Sequence, residues 1–190
     1  MNVRRNTLNV DIARAFLDQS RAFLRGDFLP RIEGALERMS EDDLWWRPND
    51  ASNSAGNLVL HLAGNVRQWI VAGLDGAPDI RDRAAEFAAT GGLSKAEALG
   101  RLRAAVDDAC RVLARLDAAD LAARRTIQGR EVTGLYAVYH VVEHFAMHTG
   151  QILWLAKARR GEDLGFYETS DDGRARLRWT PTPEGPMPRE

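Results

Sequence analysis

The chain is poor in the features that mark most specialised proteins. Only one of its 190 residues is cysteine, Cys110, so no internal disulfide can form. A reducing, cytoplasmic setting is the expectation. Lys and Arg total 26 against 27 Asp and Glu, leaving no surplus charge to draw the protein onto nucleic acid or an anionic membrane. No apolar run approaches the ~20 residues of a bilayer-spanning helix, since even LVLHLA at 58–63 is far too short. The opening MNVRRNTLNVDIARAF carries early charge but no apolar segment of signal-peptide type. No repeat at solenoid spacing is visible. The length suits one sizeable core and not two. Neither nucleic acid nor membrane is an expected partner.

Helical periodicity is what the chain has in abundance. Ile12, Phe16, Leu17, Phe23 and Leu24, then Leu29, Ile32, Leu36 and Met39, recur at intervals of three and four. Gly26 and Pro30 interrupt this pattern, so residues 11–39 form one kinked helix or two shorter ones, with Asp11 as N-cap. Residues 40–53, with Trp45 and Trp46, read as a connection that packs its indoles onto the body of the protein. Ser54 or Asn53 caps a second helix running to about Leu74. The charged stretch 79–92 reads as a surface segment with at most a short helix. Ser94 and Glu97 form a capping box ahead of a third helix through Leu116. Residues 124–133 suit a short extended pair around a turn. Thr133 caps a fourth helix ending at Gly161, with Lys157, Arg159 and Arg160 at its negative end. The expected class is all-α, a four-helix bundle with crossover connections over residues 1–165. Residues 166–190 hold four of the seven prolines and read as an irregular tail, partly packed and disordered at its end.

Histidine is scarce, and its placement is the strongest chemical signal. Of four histidines, His61 lies in the second helix and His140, His144 and His148 follow one another at four-residue intervals in the fourth. Such spacing stacks side chains along one helix face. Two imidazoles a turn apart can converge on one ion, and a third from another helix completes a set of three. A four-residue step drifts about 40° round the helix, so the third stacked ring points partly away. His61, His144 and His148 are therefore the expected metal ligands. His140 is the candidate acid/base, with a hydrogen-bonded structural histidine as the alternative. Glu143 directly precedes His144, which differs from the order of zinc-protease motifs.

The stretch HVVEHFAMHTGQILWLAK, His140 to Lys157, resembles the last helix of the DinB-like superfamily. The matching residues are His144, His148, Thr149, Gly150 and Gln151, together with His61-Leu62-Ala63 in the second helix. The segment from Leu44 to Ile70 also resembles an uncharacterised branch of that superfamily. The likeness covers roughly residues 11–160. Many members carry a second histidine just before the final ligand, where this chain has Met147. The resemblance implies a four-helix bundle and a three-histidine metal site. It also implies kinship with bacillithiol S-transferases and a mycothiol-dependent maleylpyruvate isomerase. It transfers no substrate.

A divalent ion (Zn, Ni or Fe) on three neutral imidazoles can activate a thiol or water. The leading expectation is a thiol S-transferase-like enzyme acting on a small molecule with a low-molecular-weight thiol. The alternatives are a metal-dependent hydrolase and a non-catalytic metal- or ligand-binding bundle. Gln151 either orients a histidine or caps local polar groups. Asn57 and Asn65 flank His61 by a turn and either line its pocket or bond elsewhere. Trp69 and Trp154 read as core, with contact to substrate as the alternative, Cys110 as buried and inert, and Gly150 as a close-packing position. Arg81 and Arg83, with Asp79, Asp82 and Glu86, read as a solvated face or an ion-pair network, with a grip on an anionic thiol or carboxylate as the further alternative. A homodimer is compatible with the sequence.

Overall fold

The computed structural model describes the backbone of residues 2–189 and the side chains of residues 12–189. It is mostly helical. The first long stretch runs through α1 (Asn2–Arg21), a π-helical segment (Ala22–Phe28) and α2 (Leu29–Arg38) without a break. The expected cap, Asp11, falls outside the described side chains, and the helix begins at Asn2. Gly26 and Pro30 do not split the helix. The Leu29 amide reaches back five residues to the Leu24 carbonyl, the wider π turn that often absorbs such an interruption. Pro30 has no N–H for the carbonyl four residues earlier. That carbonyl, Gly26 O, instead accepts the Trp179 indole N–H at 2.7 Å.

Side-chain caps explain where the later helices start, and the first of them, in the 40–53 connection, was not foreseen. Ser40 and Asp43 box the start of α3 (Glu41–Trp45). Ser54 and Asn57 do the same for α4 (Ala55–Val66), which continues as a π-helical segment (Arg67–Ala72). A short α5 (Arg83–Ala88) follows. Ser94 and Glu97 then open α6 (Lys95–Arg115). A short α7 (Ala118–Ala122), capped by Asp117, was not foreseen. The extended pair is β1 (Arg124–Ile127) and β2 (Arg130–Thr133), antiparallel about Gln128 and Gly129. Both turn residues have positive φ, 54° and 72°, as the tight turns of hairpins require. Thr133 caps α8 (Gly134–Arg160), and Gly161 ends it in the left-handed conformation at φ 68°.

The tail departs from expectation. Residues 167–188 form two antiparallel hairpins, β3 (Tyr167–Thr169) with β4 (Ala175–Leu177) and β5 (Trp179–Thr182) with β6 (Gly185–Pro188). Prolines suit such two-stranded ribbons because their missing N–H can face outward. The second ribbon, and Phe166 just before the first, dock where the first helical stretch lacks side chains. A Cβ at Gly26 would lie 2.6 Å from both the amide N and the carbonyl O of Thr182, and one at Gly34 would meet the Phe166 ring at 2.9 Å.

One apolar core joins the long helices. Leu17, Leu24, Ile32 and Leu36 meet Leu62, Trp69 and Ile70, Leu102 and Leu113, and Phe145 and Ile152, all essentially inaccessible. Each large side chain so buried contributes about 1.5–3 kcal/mol. Trp154 is a correction: it stands 59 % exposed, while Trp69 is in the core as expected. Packing of α4 against α8 sets the level of His61 opposite that of His144 and His148.

Candidate metal centre

Three of the four histidines meet. His61 Nε2 lies 3.1 Å from His144 Nε2, and His148 Nε2 lies 3.2 Å from the same atom. One ring nitrogen from each residue falls within 4.8 Å of the other two. His61 is 4 % exposed and His148 9 %. His140 stays outside this convergence. Its ring centre is 5.4 Å from that of His144, and it leans on Trp69 at 4.3 Å.

The far nitrogens decide which way the lone pairs point. His61 Nδ1 is 2.9 Å from Glu86 Oε2. A carboxylate only accepts, so Nδ1 carries the proton and Nε2 presents its lone pair to the centre. Arg81 Nη2 is also 3.0 Å from that Nδ1. A guanidinium only donates, however, and Arg81 spends its hydrogens on Glu86 Oε1 at 2.7 Å and Oε2 at 2.8 Å. On the other side, His148 Nδ1–H donates to Gln151 Oε1 at 2.7 Å, which frees its Nε2 in the same way. Gln151 thus orients a histidine.

Neutral imidazole is the form the surroundings favour. Burial, reinforced by the neighbouring His148 and His61, pushes His144 down to about 3. Burial also lowers His148, against a partly opposing bond to Gln151, and lowers His140, against a partly opposing Glu143. Burial alone would raise the Glu86 carboxyl. Bonds from Arg81 and His61 outweigh it and hold Glu86 below the usual range, hence ionised.

This donor set fits a divalent cation. Ligand nitrogens about 2.0–2.1 Å from one ion lie about 3.3 Å apart across a tetrahedral angle, close to the two short separations here. Without a cation, lone pairs would face one another at hydrogen-bonding distance with at most one proton between them. His144 Nδ1 is buried with no partner among the described residues, so, unlike the other two rings, this one is not oriented through its far nitrogen.

Residues 29–152 match the family model of the DinB superfamily. The chain belongs to the DinB superfamily. The matched span carries all three converging histidines and stops short of the tail ribbons. A crystal structure of a DinB-like protein (YjoA) from Bacillus subtilis superposes with a TM-score of 0.58 at 19 % identity, covering 77 % of this chain and 94 % of that one. A search of curated protein sequences found no match. No helix among the described residues is long and apolar enough to cross a membrane.

Two residues that matter most to the DinB-type site were hidden in the charged stretch 79–92. Of the two expectations for this stretch, Arg81 and Glu86 form the ion pair and not the solvated face: their side chains are only 4 % and 9 % exposed. The segment is pinned down by Asn57, whose Nδ2 donates to the Glu86 carbonyl at 2.9 Å and the Ala89 carbonyl at 2.7 Å. Arg47 adds bonds to the Phe87 and Ala89 carbonyls. Asn57 therefore positions Glu86 and is not itself at the histidines. Gly64 is the signal that could have found the pair. It lies one turn after His61, and a Cβ there would collide with Glu86 Oε1 and sit 3.0 Å from Arg81 Nε. Gly150, by contrast, faces open space and packs against nothing. Arg83 stacks on Phe87 at 4.8 Å, and Cys110 is buried with its thiol pushed up chiefly by burial.

Proposed function

We propose that this DinB-superfamily chain is an enzyme that holds one divalent ion on His61, His144 and His148 and catalyses a thiol S-transferase-like reaction on a small molecule. Zn, Ni and Fe all suit the ligands. The four long helical stretches are read as the helices of the bundle that carries it. The observation behind the proposal is the convergence of three Nε2 atoms, two of them aimed by partners on the opposite ring nitrogen. Bound there, such an ion lowers the pKa of a thiol or of water and polarises an electrophile.

The chain's own residues supply the rest. Glu86 and Gln151 hold His61 and His148 in register and raise their basicity as ligands. Arg81 keeps Glu86 ionised. His140 is the proposed proton acceptor. Its Nδ1 faces Glu143 Oε1 at 3.4 Å, so Nε2 is the basic atom; it accepts a long bond from Asn65 Nδ2 at 3.5 Å, and burial favours the neutral ring. The thiol S–H proton passes to His140 Nε2. The thiolate attacks an electrophilic carbon, forming a C–S bond as the bond to the displaced group breaks and its electron pair leaves with that group; His140 returns the proton to the displaced group, or to water where that group is chloride. A cleft of about 510 Å³ between Pro48–Asn53 and the Met147, Gln151 and Trp154 edge of α8 is the proposed substrate approach, since Gln151 joins it to His148.

The test is conjugation of glutathione or cysteine to chlorodinitrobenzene by protein loaded with zinc, nickel or iron. Turnover should vanish in His144→Ala and fall in His140→Ala, while both remain folded. Loaded protein that ignores thiols but hydrolyses activated esters would replace the thiol with water. Loaded protein inert to both would leave a binding role only.

A further inference from the structure

A cavity larger than that cleft shares no lining residue with it. It encloses about 710 Å³ between α4 with its π-helical extension, the 78–89 segment and α6. None of its lining residues is a histidine. Leu60, Gly64 and Arg67 contribute from α4 and the turn after it, on the helix face next to the one that carries His61. The wall is mainly apolar, made by Leu60, Ala63, Val71, Pro78, Ile80 and Ala104 among others. Several of these are small, which is what leaves the space open. Ile80 is 81 % exposed, a large apolar side chain left in water at the cavity's edge. The volume is in the range of small-molecule sites, which combine apolar walls with a few polar anchors.

The charges around the cavity are unequally committed. Asp79 accepts from Gln68 Nε2 at 2.7 Å and from the Arg81 amide at 3.1 Å. Asp82 caps α5 through the Ala85 amide at 3.0 Å. Glu86 is taken up by Arg81 and His61. Arg67 pairs with Asp108 at 2.9 Å. Arg101 lines the cavity and forms no close ion pair among the described residues, though Glu97 one turn earlier on α6 attracts it through solvent. Every carboxylate of the wall is thus engaged, and the uncommitted charge is a guanidinium, the group best shaped to grip a carboxylate or sulfonate.

We propose that this cavity, which shares the Arg81–Glu86 pair with the metal centre but contains no histidine, is a second ligand site for a small amphipathic anion whose apolar body lies along α4 and whose acidic group meets Arg101. Arg101 and Ala104 share one exposed face of α6, so both can be changed without entering the core. The proposal does not depend on the metal reading.

Anilinonaphthalene sulfonate, an apolar ring system bearing one anionic group, is the probe. The full-length wild-type chain should bind one equivalent, read by calorimetry and fluorescence. Ala104→Trp, which fills the cavity, should abolish binding while the thermal melt is kept. Arg101→Ala should weaken it at least tenfold, and Arg101→Lys should recover part of the loss. His144→Ala should bind the probe as wild type does, so the cavity and the metal centre fail separately. Binding that survives Ala104→Trp, or that is indifferent to Arg101→Ala, overturns the proposal. So does binding that disappears with His144.

Discussion

Replacing Gly64 by Ala isolates the role of Glu86 without touching a ligand or a charge. In a helix interior this change alone should stabilise by about 0.5–1 kcal/mol, because Gly surrenders more backbone freedom on folding. Here the new methyl would collide with Glu86 Oε1 and lie 2.9 Å from its Cδ. The carboxylate can swing aside only by leaving Arg81 Nε and Nη2, 2.7 and 2.8 Å away, and His61 Nδ1, 2.9 Å away. Breaking a buried, hydrogen-bonded ion pair costs about 3–5 kcal/mol. The net loss should be about 2–4 kcal/mol, a fall in Tm of roughly 5–15 °C for a chain of this size. Freed from Glu86, His61 loses its fixed tautomer, and zinc affinity should drop about 10–100-fold. The control is Gly100→Ala in α6, where a Cβ meets nothing within 4 Å; it should gain about 0.5–1 kcal/mol and leave zinc binding alone. Thermal denaturation and calorimetric zinc titration of both variants decide the matter. A Gly64→Ala protein at least as stable as wild type, with unchanged zinc affinity, would refute the Glu86 argument.

Other consequences are as direct. Gln151→Ala should keep the fold by circular dichroism but weaken zinc binding about 10–100-fold by releasing His148 Nδ1, and unchanged affinity would remove Gln151 from the site. Stability of the metal-free protein should fall as pH drops from about 6.5 towards 4. The lowered His140, His144 and His148 take up protons more readily once unfolded, and the lowered Glu86 acts in the same direction below its unfolded value. A Tm that is flat or rising across that acid range contradicts these shifts. Gly26→Ala should undock the tail, since its Cβ would press on the Thr182 backbone. Limited proteolysis should then cut within residues 166–189 while the helical core resists, and wild-type cleavage rates would show that the ribbons are not seated there.

How much the sequence revealed depended on whether the signal was local. The capping residues Ser54, Ser94 and Thr133 and the terminator Gly161 mark their helices in a few adjacent positions, and each performs that role. The convergence of His61 with His144 and His148 was legible because helical periodicity aims side chains predictably and because so few histidines are present. Glu86 was not legible, since its burial comes from Asn57 and Arg47 clamping a distant segment by its backbone carbonyls. Charge composition suggested a solvated face or an ion-pair network, with no sign of burial beside His61. Trp154 misled for the opposite reason: an indole on a long helix reads as core, but α8 turns that face outward. The tail misled because proline density suggests disorder, whereas its second ribbon and Phe166 are seated against side-chain gaps at Gly26 and Gly34 that lie over a hundred residues away in sequence.

X-ray absorption of the zinc-loaded chain bears most directly on the central claim, that three imidazoles from α4 and α8 share one ion. The account predicts one zinc per chain with three imidazole nitrogens at about 2.0 Å, reduced to two in His61→Ala. Failure to retain zinc when it is supplied, or a bound ion whose imidazole count is unchanged in His61→Ala, would contradict it.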